Sequence, residues 1–341
     1  MTRSAKRRWS TDPECEIDGL VLGPEGPIVL HGYDPPAGGK WVDDVIPGKL
    51  MAYDRSSGER LWSSPCEVGY GRGFGAGFDE DGALVILGPS QSGHRITCMS
   101  PTDGVLLGVE AVPEFDEAHV ATDMCLCIGP TSISGIVTSA MLEAWRFRKE
   151  GYRFHRAARS GEKLFVTFSR KSSKTLGIMI LNVADGGLVG EFLPPEQKGI
   201  LGLSASDEVV AVLVDDLEAA LPPDQARDFM LRRLASDDDF SGEGASPGIV
   251  VYDANGGTTP LWFEDLGAGG GDDPGEPSMA IDSGKLYLAR GASLEVRDQL
   301  TGRALGELVV PGLDEYVDWT IATGAFLLAE ETRATVFEVP D

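Results

Sequence analysis

Glycines alternate through Gly69, Gly71, Gly73, Gly75 and Gly77, a spacing with which a backbone can cradle phosphate. A dinucleotide fingerprint needs a strand before it and a helix after it, whereas Phe78-Asp79-Glu80-Asp81-Gly82 leads straight into another apolar strand. Glycine at every second position strips one face of a strand bare, which suits a strand crowded by its neighbours, so packing is the expectation. Cys125 and Cys127 point to one face of a strand, but a single C-x-C lacks the second ligand pair of a zinc site and reads as two small buried apolar groups. The acidic runs Asp79 to Asp81, Asp237 to Asp239 and Asp272-Asp273 lack the twelve-residue spacing of a calcium loop and read as solvated turns. The four histidines, His31, His94, His119 and His155, are scattered outside any two-histidine metal motif. No metal, cofactor or catalytic residue is therefore expected.

The elements that would position such groups repeat. A turn followed by an alternating apolar strand occurs seven times, as at Gly23-Pro24-Glu25-Gly26-Pro27-Ile28-Val29-Leu30 and Asp282-Ser283-Gly284-Lys285-Leu286-Tyr287-Leu288. A second pattern, strand, Gly-containing turn, strand, is clearest over Leu50 to Trp62. It returns with turns at Gly104, near Ala140, and at Gly186, Gly256 and Gly302, with Gly151 competing for the third place. The intervals of 46, 36, 46, 70 and 46 residues match a propeller blade, with one insertion. Each pattern is a hairpin, because Asp, Ser and Gly accept tight-turn backbone angles and β-branched and aromatic residues fit a half-buried pleat. Two hairpins make a four-stranded blade.

The chain stops one strand short after Ala334-Thr335-Val336-Phe337-Glu338-Val339, and Arg7-Arg8-Trp9-Ser10-Thr11 reads like the outer strand Arg60-Leu61-Trp62-Ser63-Ser64. The N-terminus is thus expected to complete the last blade, since an unpaired strand would leave backbone groups open. The expected fold is all-β: a seven-bladed propeller of four-stranded antiparallel blades over residues 1–341, one domain, with an insertion at 215–246 in the fifth blade.

The stretch Leu50 to Trp62, with weaker copies at Tyr252-Asp253-Ala254-Asn255-Gly256 before Trp262 and at Asp298-Gln299-Leu300-Thr301-Gly302, resembles the repeat of quinoprotein-like propellers. That family of PQQ-like, WD-type repeats includes pyrroloquinoline quinone dehydrogenases and outer-membrane assembly lipoproteins. The resemblance implies the propeller fold. Its quinone-using members hold the cofactor with a disulfide between adjacent cysteines and a calcium site, and this chain has no adjacent cysteine pair.

Composition narrows the partners. With 54 acidic against 29 basic side chains the formal charge is −25, so nucleic acid is repelled and is not an expected ligand. No run reaches the roughly 18 apolar residues of a spanning helix, so no membrane anchor is expected. Five scattered cysteines suit a reducing compartment, and the cytoplasm is the expected location.

Decoration is expected on one face, where strands two and three connect and where each outer strand leads to the next blade. The insertions Tyr33 to Pro47, Asp215 to Ser246 and Asp265 to Pro277 all belong there. Within the second, Pro222 to Leu234 reads as a short helix with proline near its start, Asp in the first turn and arginines at the far end. Ala226, Phe229, Met230, Arg233 and Leu234 form a mostly apolar stripe, which either packs on the propeller or binds a partner. The expected function is a non-catalytic, monomeric interaction scaffold that grips a protein through Trp41, Phe229, Met230, Arg232 and Arg233. The alternative is a small-molecule sensor or an enzyme (quinoprotein-like, hydrolase or lyase) with its site at the mouth of the channel.

Overall fold

The computed structural model describes residues 2–23, 26–35, 45–70, 73–121, 123–170, 176–192, 199–236, 246–267, 278–313, 318–322 and 324–339, with backbone only for 232–236. Short strands Thr2–Ser4 (β1) and Lys6–Thr11 (β2) lead into the first blade, Glu16–Leu22, Ile28–Tyr33, Ile46–Tyr53 and Arg60–Tyr70 (β3 to β6). The second blade is Gly75–Phe78, Leu84–Ser90, Gly93–Met99 and Leu106–Ala111 (β7 to β10), and the third Glu117–Val120, Met124–Ile128, Ile133–Val137 and Leu142–Phe147 (β11 to β14). The fourth comprises Tyr152–Ser160, Lys163–Arg170, Leu176–Asn182 and Leu188–Phe192 (β15 to β18). In the fifth, Ile200–Ala205 and Val209–Val214 (β19, β20) are followed by helices Leu217–Ala220 (α1) and Pro223–Ser236 (α2), then Gly248–Asp253 and Trp262–Asp265 (β21, β22). Ser278–Asp282, Lys285–Arg290, Ser293–Asp298 and Ala304–Val309 (β23 to β26) form the sixth, and Asp318–Ala322, Ala325–Glu330 and Arg333–Glu338 (β27 to β29) with β2 form the seventh.

The fold is a seven-bladed all-β propeller. Every blade is an antiparallel meander, and the predicted turns fall where expected: the seven first-pattern turns join strands one and two, and the second-pattern turns join strands three and four. In the third blade the competition is decided for Ala140, because Met141 takes the left-handed position (φ 52°) that Gly58, Gly104 and Gly186 hold elsewhere. Gly151 instead precedes β15. The N-terminal strand completes the seventh blade, with Trp9 paired to Val336 and Ser10 to Thr335.

The chain divides into two compact units, one of residues 149–183 and 187–307, carrying the fourth to sixth blades, the other of 2–148, 184–186 and 308–341, carrying the remainder. Each has its own core. In the second unit Ile28 and Leu30 of β4 pack with Leu327 and Val336, while Val29 on the opposite face packs with Leu50, Val68 and Leu84. Strict alternation lets one strand feed two interblade layers, which is why β4 is buried along its whole length. First strands of successive blades lie side by side, β27, β3, β7 and β11 in this unit and β15, β19 and β23 in the other, which identifies them as the inner edge.

The alternating glycines serve this crowding. A Cβ on Gly75 would come within 2.5 Å of the Ala118 carbonyl oxygen, and one on Gly77 within 2.7 Å of Val120, both on the neighbouring inner strand. Cys125 and Cys127 are free and buried among Val85, Leu87 and Ile136.

Successive blades are also tied by tryptophans of the outer strands. Trp9, Trp62, Trp145 and Trp262 cover Gly58, Gly104, Gly186 and Gly302 in turns between strands three and four. Three of the indoles donate to the carbonyl three residues before that glycine, Trp9 to Arg55 (3.0 Å), Trp62 to Pro101 (2.8 Å) and Trp262 to Gln299 (2.9 Å). The Trp of the repeat and the Gly of the next repeat are thus one packing unit.

Candidate functional site

On β4, the second strand of the first blade, a histidine follows an apolar run. His31 is 0% exposed, with Phe74 stacked on its ring at 4.6 Å between centroids. Its Nε2 lies 3.0 Å from the Val68 carbonyl oxygen. That oxygen can only accept, so Nε2 carries a proton and donates. Gly48 makes the approach possible, since a Cβ there would fall 2.4 Å from both Nε2 and that carbonyl oxygen.

Asp18 faces the other ring nitrogen. In the ladder between β3 and β4, Ile17 pairs with Gly32 and Gly19 with His31, so Asp18 is the extra residue of a β-bulge. The bulge turns its carboxylate toward the histidine, with Oδ2 3.6 Å from Nδ1. Asp318, on the neighbouring inner strand β27, is open to solvent. The surrounding protein nevertheless raises its carboxyl pKa, and the Asp18 charge adds to the rise. Beside them Tyr33 donates to Glu16 (2.5 Å) and packs on Tyr70, 4.5 Å between ring centroids, and burial followed by this bond raises the Tyr33 pKa. Glu16, Tyr33 and Tyr70 stand where β3 begins and β4 and β6 end, the face on which the insertions were expected.

A concavity opens between the first two blades. A cleft of about 660 Å³ runs between β6 and the β9–β10 pair, lined by Val45, Pro47, Cys66, Met99, Leu106 and Val109 and rimmed by Ser90, Ser92, Arg95 and Glu67. The Thr97 hydroxyl on its lining is buried and has no hydrogen-bond partner. Arg95 lies 3.4 Å from Glu67 and donates to Ser92 at 2.8 Å. Burial pushes the Cys66 thiol up to about 11, so the thiol is neutral at ordinary pH.

No protein-family model matches the chain, and no curated protein sequence matches it. Solved structures do. The WD40 domain of Pan2 from Neurospora crassa is similar with a TM-score of 0.63 at 10% identity, covering 100% of this chain and 98% of that one. Hydrazine synthase from Kuenenia stuttgartiensis gives 0.63 at 10%, covering 97% and 98%, and BamB from Moraxella catarrhalis 0.52 at 11%, covering 94% and 84%. The chain is a β-propeller protein. At these identities the likeness speaks to fold alone.

Of the residues expected to grip a partner, Phe229 and Met230 lie on α2 in the fifth blade. Phe229 is 8% exposed, packed in the core of its unit with Val212, Leu217 and Tyr252 and edge-on to Phe263, and Met230 packs against the same cluster. Phe229 therefore contributes to the core of its unit, while Ala226 and Met230 are partly buried against it. A short helix holds its shape by such packing. Trp41 and the side chains of Arg232 and Arg233 lie outside the described residues.

The sequence also contains Gly244-Ala245-Ser246-Pro247-Gly248, a match to the G-x-S-x-G nucleophile elbow. Its setting is reversed, following a helix and leading into β21, and the buried Ser246 hydroxyl donates to Asp265. Among the described residues no three His, Cys, Asp or Glu side chains are grouped to hold a metal ion, and no helix is long and apolar enough to cross a membrane. His31 and Thr97 carry a sequence signal of their own. Each is a polar residue inside an apolar run, Ile28-Val29-Leu30-His31 and Ile96-Thr97-Cys98-Met99, where an unpaired polar group is costly.

Proposed function

We propose that this propeller is a non-catalytic protein-interaction scaffold that takes an extended segment of a protein partner into the cleft between its first two blades. The observation that carries the reading is the form of that cleft. It follows β9 from the Ser90–Ser92 rim to Met99. Seven residues at about 3.3 Å each make it roughly 23 Å long, the reach of an extended peptide. Its outer wall, β10, is the edge strand of its blade and begins beside three consecutive exposed apolar residues, Val105, Leu106 and Leu107. Edge strands with open backbone groups accept an added strand, and alternate side chains then enter flanking pockets.

The repeat supports the finer assignment to quinoprotein-like propellers, because the Trp and Gly that define it are the residues that dock blade to blade. The five free, buried thiols support a cytoplasmic site of action. A monomeric propeller that binds neither nucleic acid nor membrane remains our reading of the charge of −25.

A photo-crosslinking residue placed at Leu106 tests the cleft, with Leu188 on the outer strand of the fourth blade as control. In native extract the Leu106 position is expected to form a discrete protein adduct that Leu188 does not, and Val109→Asp is expected to abolish it. Equal labelling from both positions, or labelling indifferent to Val109→Asp, overturns the reading.

A further inference from the structure

We infer that the inner strand of the fourth blade, through Arg153 and Arg156, docks an acidic, extended segment of a protein partner. This strand belongs to the other compact unit from the cleft, and the site stands whether or not the cleft is occupied. Charge is divided unevenly along the chain. Residues 146–174 hold ten lysines and arginines against two acids, leaving 19 basic against 52 acidic side chains over the rest of the sequence. Strands β15 and β16 lie inside this basic segment. Arg153 and Arg156 of β15 are exposed, and neither side chain has an ion-pair or hydrogen-bond partner among the described residues. In a protein with nearly two carboxylates for each cation, two such arginines on one strand are set apart from the chain's own acids. The inner strand beside them, β19, is Ile200-Leu201-Gly202-Leu203-Ser204-Ala205 and brings no charge to neutralise them.

A β-bulge presents Arg156. Phe154 pairs with Phe168 and Ala157 with Val166, so His155 and Arg156 together stand opposite Thr167. Strict alternation would put residue 156 on the buried face of Phe154. The extra residue gives that place to Ala157 and leaves Arg156 exposed. The Thr167 hydroxyl secures the bulge, accepting from the Arg156 amide (2.9 Å) and donating to the Arg156 carbonyl (3.1 Å). At the start of the strand, Glu191 is held by Lys149, by Arg170 (2.6 Å) and by the Tyr152 hydroxyl (3.0 Å). Two cations around one carboxylate leave that end positive, and they show the blade gripping a carboxylate of its own. Arg153 follows directly, with Arg156 about 10 Å further along at about 3.3 Å per residue. Because β15 is the edge strand of its sheet, an extended chain can lie along it. An acidic peptide is favoured over nucleic acid by reach. Exposed charges act over a Debye length of about 8 Å, so a short segment feels the basic patch alone, whereas a long polyanion also meets the acidic remainder.

Acetyl-hexaglutamate amide is titrated into the whole protein by calorimetry at pH 7.5, with acetyl-hexaglutamine amide and a short single-stranded DNA as comparisons. Saturable binding of hexaglutamate and none of hexaglutamine is expected, weakening about tenfold as salt rises from about 50 to about 300 mM. Arg153→Gln/Arg156→Gln should bind about tenfold more weakly, and Arg153→Lys/Arg156→Lys, which keeps both charges, within about threefold of the parent. Arg303→Gln removes an exposed charge outside the basic segment and should bind as the parent does. Thermal unfolding reports whether each variant folds. Should the glutamine pair not fold, side-chain nitrogen NMR of the parent decides, hexaglutamate being expected to shift Arg153 and Arg156. The inference is overturned if hexaglutamate does not bind or shifts neither arginine, or if the folded glutamine pair binds as tightly as the parent. It is equally overturned if the lysine pair or Arg303→Gln loses as much as the glutamine pair, or if the DNA binds more tightly than hexaglutamate.

Discussion

The indole of Trp9 covers Gly58, with ring carbons 2.6 to 2.9 Å from where a Cβ would stand, and its Nε1 donates to Arg55. Gly58 also holds a φ of 73°, a conformation that side chains resist. Gly58→Ala therefore meets two costs, backbone strain and displacement of the indole, together about 3 kcal/mol. Gly82 has a similar φ of 79° with nothing within 4 Å, so Gly82→Ala should cost only about 1 kcal/mol. Urea unfolding midpoints of the two variants check this, and equal shifts would show that the tryptophan contact adds nothing.

Asp54 begins the same turn. Its carboxylate accepts from the Ser56 hydroxyl (2.6 Å) and from the Ser57 amide (2.7 Å) and hydroxyl (2.9 Å), which lowers its pKa to about 2. A depressed folded pKa stabilises above the ordinary carboxylate value, and that contribution disappears as pH falls through about 2. Carboxyl-carbon NMR should find Asp54 titrating near 2, with Asp298, lowered by Thr301 in the equivalent turn, also below the ordinary range. A midpoint near 4 for Asp54 would contradict the turn geometry.

Burial raises the thiols of Cys66 and Cys98 to about 11 and of Cys127 to about 12. Thiol reagents should therefore find the folded protein nearly inert at pH 8 and titrate all five cysteines only after unfolding. Raised folded values stabilise fully below the ordinary thiol pKa of 9.0, so thermal stability should fall as pH climbs from there toward 11 and 12. Rapid modification of the native protein would refute the burial of these groups.

The α2 insertion is expected to behave as core. Phe229→Ala should destabilise its unit by about 3 kcal/mol, whereas Leu231→Ala, at an exposed position of the same helix, should change stability by less than about 0.5 kcal/mol. Differential unfolding of the two variants separates a packed helix from a free one. A Phe229→Ala protein as stable as the parent would return the stripe to the solvent.

Local rules made the blades readable. A turn of Asp, Ser and Gly beside alternating apolar residues can form little but a hairpin, and the seven repeats of the first pattern, with Trp9 echoing Trp62, indicated both the blade number and the strand that completes the last blade. Ala140 was ambiguous for a local reason: the left-handed position there belongs to Met141, a residue type that gives no turn signal. The stripe of α2 carried an apolar moment whichever surface it faced, since a helix pattern records which side is apolar and not what covers it.

The candidate sites lie beyond that reach. Asp18 meets His31 because one extra residue is accommodated in β3 when it pairs with β4, and a slip of one position would turn the carboxylate away. Asp318 comes from the far end of the sequence on β27, which runs beside β3, and the cleft along β9 exists because β6 of another blade stands opposite. Composition and periodicity determined that this chain would be a propeller, because hairpin formation depends on neighbours in sequence. Which polar groups would converge was decided by the tertiary structure alone, because register and interblade contact join residues whose separation along the chain leaves no local trace.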